Sequence, residues 1–476
     1  TPMMPPFSAR VVGPRDGALY AETGGGGVFR SRDGAASWEP ASAGLTDTDV
    51  REEAAQGLAE LGDPRAVPPL LVAAKGDKDD DATDALDALR QLGNPAAGEG
   101  LLPLLKDFPH RKASIMRALG TSHAMAAGPI IEKELKGDDV GAAAKALAQL
   151  PYDKAYPKLV GMLKKDKKID FSRPSVVSEM AYRNRFEAIQ ALGFFGKPDP
   201  KAIKELMAII DDPQDDQRLA MAAGAALGQM ADPQLQDAMF AKVSDTKLEE
   251  RMRAAYVNGL WRKPNPTLAP KLLSLFTTNT PGGVKLAAAL AIGYSGNPAA
   301  EEGLLKLLDD PNARRYAAVA AVLGGGEASA KKLLEVLPQD RDAEEILRGV
   351  VNSNEDDNFN LMLEPMFTSG QVYRRMKVAQ VLKDGNLLTN VSFTYPFVQL
   401  CNRLTAGWDG PGGVSPRWIR AELYKQLTGS DAERRKLVAN ALVGMNLRGL
   451  LLAARDAGVK EAREALLNMD RPKASS

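Results

Sequence analysis

The chain alternates two kinds of amphipathic segment, and the alternation repeats. Within each segment apolar residues recur at i, i+3, i+4 and i+7, the spacing of one face of an α-helix. The run Val50-Arg51-Glu52-Glu53-Ala54-Ala55-Gln56-Gly57-Leu58-Ala59-Glu60-Leu61-Gly62 leads through Asp63-Pro64 into Ala66-Val67-Pro68-Pro69-Leu70-Leu71. The same order returns from Ala82 to Gly93, followed by Asn94-Pro95 and Gly100-Leu101-Leu102-Pro103-Leu104-Leu105. Further copies fall near 184–207, 218–240, 250–276, 285–308 and 315–337, a period of roughly 30 to 36 residues. Longer intervals interrupt it around 164–182 and 384–428. Gly62, Gly93, Gly120, Gly193 and Gly228 stand where a helix C′ residue needs positive φ. Pro64, Pro95, Pro198 and Pro233 stand where the next helix opens and no N–H is needed.

Alanine dominates one helix of each pair and leucine the other. Small residues let neighbouring helices approach, and leucines fill the seam between them. One helix pair cannot bury its apolar side alone, so each must stack on the next. The pattern predicts an all-α fold, a right-handed α-solenoid of about eleven helix pairs, with a small N-terminal β-hairpin segment. It divides the chain into an irregular segment 1–46, a solenoid 47–383, an aromatic Gly/Pro-rich insertion 384–428, and terminal helices with a tail 429–476.

The Val-Arg-x-x-Ala-Ala-x-x-Leu-x-x-Leu-Gly-Asp-Pro-x-Ala-Val-Pro-x-Leu string resembles a HEAT repeat of the short, bilin-lyase-like type. The resemblance covers 47–350 clearly and 370–470 in degenerate form. It implies the fold and says little about activity: similar proteins serve as scaffolds, adaptors, bilin-lyase subunits and, more remotely, DNA glycosylases.

Residues 1–46 lack the helical period. Ala18–Glu22 and Gly27–Ser31 read as short strands separated by Thr23 and a glycine run. Ser31, Asp33, Gly34 and Trp38 then form a segment that resembles the Asp box of sialidase-like β-propellers, with Ala35 at the family's glycine position. Asp33 would hold the turn by side-chain-to-backbone bonds and Trp38 would cover it. A propeller needs four to eight blades, and only one such box is present, so no sialidase active site is carried over. The expectation is a hairpin that caps the first helix pair, or one that docks on another protein's sheet edge.

Composition narrows the function. Lys plus Arg and Asp plus Glu are 61 each, so the formal net charge is zero, without the cationic surplus that phosphate contacts require. The single cysteine, Cys401, excludes an intrachain disulfide and a multi-cysteine metal site. It lies in an apolar run, which predicts a buried structural thiol, and a solenoid contacts mainly its sequence neighbours. His110 and His123 supply no metal site without further ligands. Asp77, Asp79 and Asp81 match the first EF-hand positions, but Ala82 and Ala88 replace the Gly and Glu that such a loop needs. The glycine runs 24–27 and 324–326 lack the Lys-Ser/Thr of a phosphate loop. No cofactor and no metal are expected, and no apolar run is long enough to span a membrane. Thr1 in place of Met points to a processed or trimmed terminus. Asp boxes are common in exported proteins, which favours an exported or periplasmic location over the alternative, the cytoplasm.

Two sets of residues are candidates for binding. Arg51, Arg111, Arg183, Arg218, Arg251, Arg314, Arg374 and Arg434 fall near the start of successive Ala-rich helices. They either pair with aspartates of their own or the preceding turn, or line a groove that takes an anion or acidic peptide. The insertion supplies Tyr395, Trp408 and Trp418, residue types that anchor interfaces when they are not folded back into a core. The sequence therefore predicts a non-catalytic scaffold or adaptor that binds a protein partner within a larger assembly. The alternatives are a bilin-lyase-like chromophore-handling subunit and a nucleic-acid repair module, the latter disfavoured by the balanced charge.

Overall fold

The computed structural model describes four short strands between residues 11 and 40, and residues 59, 62–165, 175–263, 265, 267–340, 367, 370–387, 395–406, 416–445 and 447–469. The strands are β1 (Val11–Val12), β2 (Leu19–Thr23), β3 (Gly27–Ser31) and β4 (Glu39–Pro40). They form one antiparallel sheet in sequence order, with Leu19 opposite Ser31 and Thr23 opposite Gly27. Asp33, Gly34 and Trp38 of the Asp-box-like segment lie outside the described residues.

The chain forms two compact units, one of residues 1–152 with 394–409 and 414–476, the other of 153–393 with 410–413. In the second unit helices alternate as the sequence predicts. The first helices of successive pairs are α8 (Tyr156–Met162), α10 (Pro200–Asp211), α12 (Pro233–Ser244), α14 (Leu268–Leu273), α16 (Glu301–Asp309) and α18 (Glu327–Val336). The second helices are α9 (Val176–Phe195), α11 (Gln217–Met230), α13 (Glu250–Leu260), α15 (Gly282–Ser295), α17 (Arg314–Gly324) and α19 (Gln371–Asp384). Asp199, Asp216 and Asp232 cap the N-termini of α10, α11 and α12 through their carboxylates, satisfying amides that have no helical acceptor.

The second helices stack one on the next from α9 to α17, and their small residues set the spacing. Gly224 and Gly228 of α11 face main-chain carbonyls of Ala255 and Gly259 on α13 so closely that neither position has room for a Cβ. Gly324 of α17 approaches Gly293 of α15 in the same way. This corrects part of the glycine reading. Gly62 and Gly93 do take positive φ as predicted. Gly120, Gly193 and Gly228 instead lie inside helices, and at the last of these three the reason for glycine is close helix approach. Helix α9 runs on to Phe195 and ends at Gly196, and Pro200 rather than Pro198 opens α10.

The first unit repeats the scheme with shorter first helices. Its pairs are α1 (Val67–Ala73) with α2 (Asp79–Leu92), α3 (Ala96–Leu101) and α4 (Leu104–Asp107) with α5 (Lys112–Thr121), and α6 (Gly128–Ile131) with α7 (Val140–Gln149). Its C-terminal helices are α20 (Tyr395–Ala406), α21 (Pro416–Leu427), α22 (Ala432–Gly444), α23 (Arg448–Asp456) and α24 (Lys460–Met469). Two helices thus occupy part of the segment read as an insertion. Phe397, Leu400, Cys401 and Leu404, spaced i, i+3, i+4 and i+7, are all buried on α20.

The expectation that a solenoid contacts mainly its sequence neighbours has an exception in this unit. Helices α20 and α21 pack on α2, more than 300 residues earlier in the chain. The residues buried on α20 and α21 include Leu400, Leu404, Ile419 and Leu423.

Candidate functional site

The arginines near the starts of the second helices are mostly spent on structure. Arg111 donates from Nε and Nη2 to Asp79 Oδ1 at 2.9 and 2.6 Å, and from Nη1 to the Ala74 carbonyl at 3.2 Å. Arg314 donates to the Leu308 carbonyl at 2.8 Å and to Asp340 at 3.3 Å. Arg251 pairs with Glu249 at 2.9 Å and reaches the Asp215 carbonyl. Arg374 donates to the Gly296 carbonyl at 2.6 Å. Arg434 pairs with Asp431, which also caps α22. Arg218 pairs with Asp216 while its guanidinium lies 4.7 Å from the Tyr182 ring centre. Arg51 lies outside the described residues.

Arg183 is exposed; the buried place in its repeat belongs to Arg185, two residues on. Arg185 donates from Nε to the Leu163 carbonyl at 2.9 Å and grips Asp215 through both terminal nitrogens at 2.8 and 2.7 Å. Arg435 makes the same arrangement with the Gly429 carbonyl and Glu461. The recurring device is a guanidinium that satisfies a carbonyl at the end of one helix and a carboxylate of a neighbouring repeat. Arg185 and Arg435 escaped the sequence reading because their spacing from the helix start varies. An aspartate or glutamate one repeat downstream is the signal that would have found them.

One cleft of about 380 Å³ opens beside this device, between the first turns of α9 and the start of α11. Its floor is the Arg185–Asp215 pair, with side chains only 6% and 5% exposed. Lys165 approaches Asp215 at 3.5 Å and binds Asp212 at 2.7 Å. Ser175 and Ser178 close one wall, but their hydroxyls are engaged in a capping box that starts α9. Tyr182 and Arg218 form the opposite side. Burial, and then the Asp216 carboxylate, hold the Tyr182 phenol above its usual range, so it stays a neutral donor. On the same first turns of α9, Val176, Val177 and Met180 are 77%, 62% and 46% exposed. The cleft offers a phenol and the Glu179 carboxylate beside exposed apolar surface, an arrangement for recognition.

The remaining candidates are scattered. Cys401 is buried, and burial pushes its thiol up to about 12, which leaves it unreactive at neutral pH. His110 lies 3.2 Å from Asp79 in the first unit. Among the described residues no group of three or more His, Cys, Asp or Glu is arranged to hold a metal, and no helix is long and apolar enough to cross a membrane. Asp79 to Asp81 form the first turn of α2, where carboxylates favour the helix N-terminus. Trp418 is half-buried on α21. Tyr395 begins α20, with its side chain outside the described residues, and Trp408 lies outside them altogether.

Two family models match parts of the chain. Residues 39–120 match the family of HEAT repeats, and residues 284–310 match the PBS lyase HEAT-like repeat. No curated protein matches. Among solved structures, the chain is similar to the karyopherin Kap121p bound to the SUMO protease Ulp1p, at 12% identity, with 90% of this chain and 65% of that chain covered and a TM-score of 0.33. Kap121p alone is similar at 13% identity, with 91% and 64% covered and a TM-score of 0.31. The chain spans less than two thirds of the length of those karyopherin chains. Stacked helix pairs with small-residue crossings identify the fold as an α-solenoid, with matches to HEAT repeats over residues 39–120 and 284–310.

Proposed function

We propose that the chain is a non-catalytic scaffold or adaptor that binds a protein partner, as a subunit of a larger assembly. The observation that carries this reading is the start of α9. There Val176, Val177 and Met180 stand in solvent on the same turns that wall the cleft. Exposed apolar side chains grouped beside polar groups mark a protein-binding surface more often than chance exposure does. The structural economy of the arginines supports it too, because they hold repeats together and leave recognition to helix surfaces. Arg251, Arg374, Arg434 and Trp418 then act as supports of the stack or as rim contacts, with the energetic centre at the α9 turns.

The test is capture of partners by the full chain, followed by cross-linking mass spectrometry. Cross-links from Lys164 and Lys165 to one stoichiometric partner are expected, along with loss of that partner in a Val176→Asp/Met180→Asp variant that melts like the parent. A chain that purifies alone, or a partner retained at full level by the double variant, overturns the assignment. The bilin-lyase alternative rests on repeat type alone, including the match at 284–310; a spectroscopic bilin titration with no change removes it.

A further inference from the structure

The polar groups around the α9 cleft divide into engaged and free. Both arginines are engaged. Arg185 grips Asp215 through two hydrogen bonds, and Arg218 gives two to Asp216 while lying against the Tyr182 ring. Both helix starts are engaged as well. The Ser175 hydroxyl accepts from the Ser178 amide at the head of α9, and Asp216 accepts from the Arg218 amide at the head of α11. The features that draw an anion, a bare guanidinium or an uncapped helix start, are therefore already taken.

Two groups in the cleft remain. Among the described residues, neither the Glu179 carboxylate nor the Tyr182 hydroxyl has a hydrogen-bond or ion-pair partner. The charges tell the same story: Glu179, Asp215 and Asp216 face Arg185 and Arg218, so three carboxylates meet two guanidinium groups and one negative charge is left over. The exposed Arg183 stands four residues beyond Glu179, but a solvated pair at that spacing is weak.

The apolar neighbours turn that leftover charge into a selector. Val176, Val177 and Met180 lie in the same turn as Glu179, and all four are exposed. A partner that covers the three apolar side chains also takes Glu179 out of water. A covered carboxylate without a counter-charge is costly, so an uncharged or acidic partner is penalised and a basic one is not. The aliphatic stem of Lys or Arg can lie along the apolar side chains while its head meets the carboxylate.

We infer that the α9 surface takes a partner segment bearing one Lys or Arg flanked by apolar side chains, with Glu179 as the counter-charge. The Tyr182 hydroxyl is then placed to donate to a main-chain carbonyl of that segment. This inference rests on the protein-binding reading of α9 given above and narrows it to one class of partner.

A random dodecapeptide display library panned against the full chain, with the Val176→Asp/Met180→Asp variant as counter-selection, tests it. Sequences held by the parent alone should share a Lys or Arg with Leu, Ile, Met, Val or Phe within one helical turn. A synthetic peptide of that kind should bind Glu179→Gln about tenfold more weakly. Glu179→Lys should instead prefer the same peptide with Glu in place of its basic residue, a swap that a merely structural role for Glu179 does not produce. An acidic consensus, or equal affinity for the parent and Glu179→Gln without the swap, overturns the inference and leaves the α9 surface standing. No sequence held by the parent over the double variant overturns the α9 surface itself.

Discussion

The α11–α13 crossing gives the sharpest test of how the stack is held. An alanine at Gly224 or Gly228 would place its methyl far inside 3.0 Å of a carbonyl oxygen of α13, a separation that real Cβ atoms do not show. The obstacle is main chain, so no rotamer change relieves it, and the helices must part by about 1 Å or more. A gap of that size forfeits about a quarter to a half of the dispersion energy of atoms lining the seam. Ala223 and Leu227 of α11 and Ala255 and Leu260 of α13 are buried. Losses of this kind cost about 3 kcal/mol, against a gain of about 1 kcal/mol from replacing glycine by alanine in a helix. A net destabilisation of about 2 kcal/mol is expected for Gly224→Ala. Gly161 on α8 supplies the control, because a Cβ there meets nothing within 4 Å. Gly161→Ala should be neutral or stabilise by up to about 1 kcal/mol. Urea unfolding followed by hydrogen exchange over 217–260 separates the two, since a repeat array need not unfold in one step. Equal effects of the two substitutions would refute the claim that close approach, rather than propensity, dictates glycine at the crossing.

Three further outcomes follow from named contacts. Asp215→Ala should destabilise by about 3–5 kcal/mol because Arg185 is left buried and unpaired, whereas Arg185→Ala/Asp215→Ala should lose less than the sum of the single losses; additive losses in a double-mutant cycle would argue against the pair. Cys401 should resist iodoacetamide at pH 8 in the folded chain and react fully in guanidinium, since its thiol sits at about 12 when buried; native labelling at the unfolded rate would contradict the burial. The hydrogen bonds from Arg435 hold the Glu461 carboxyl below its ordinary 4.5, so its stabilisation is complete above that value and is lost as pH falls through the lower folded one. Glu461→Gln should therefore flatten the acid limb of a stability profile below about pH 4.5 and leave the neutral-to-alkaline part parallel to the parent; an unchanged acid limb would speak against that linkage.

How much of this was legible beforehand depends on whether the cause is local. The helical pairs follow from apolar spacing and from Asp-Pro helix starts such as Asp232-Pro233, which act within a few residues. Cys401 was readable as a core thiol for the same reason: it stands on the apolar face of its own helix. The glycines were half-readable, because one letter serves two purposes. Gly93 ends a helix by adopting positive φ, and Gly228 sits mid-helix to admit a neighbour's carbonyl. Sequence periodicity counts both as stops, so the helix boundaries came out one turn short. The arginines show the same limit. Arg183 and Arg185 are two positions apart, which places one in solvent and the other on the floor of a cleft.

Arg420 on α21 lay beyond local reasoning altogether. Stacking argues that each repeat contacts its neighbours, and the second helices α9 to α17 do so. Helix α2 is covered by a segment whose place in the sequence is not specified by the period. The chain covers α2 with helices from its other terminus and satisfies two helix ends with one guanidinium. A cap built from distant sequence closes only after most of the chain has been made, because the loop between its halves must be closed before the contact forms. The N-terminal repeats therefore depend on residues more than 300 positions away for their last contacts.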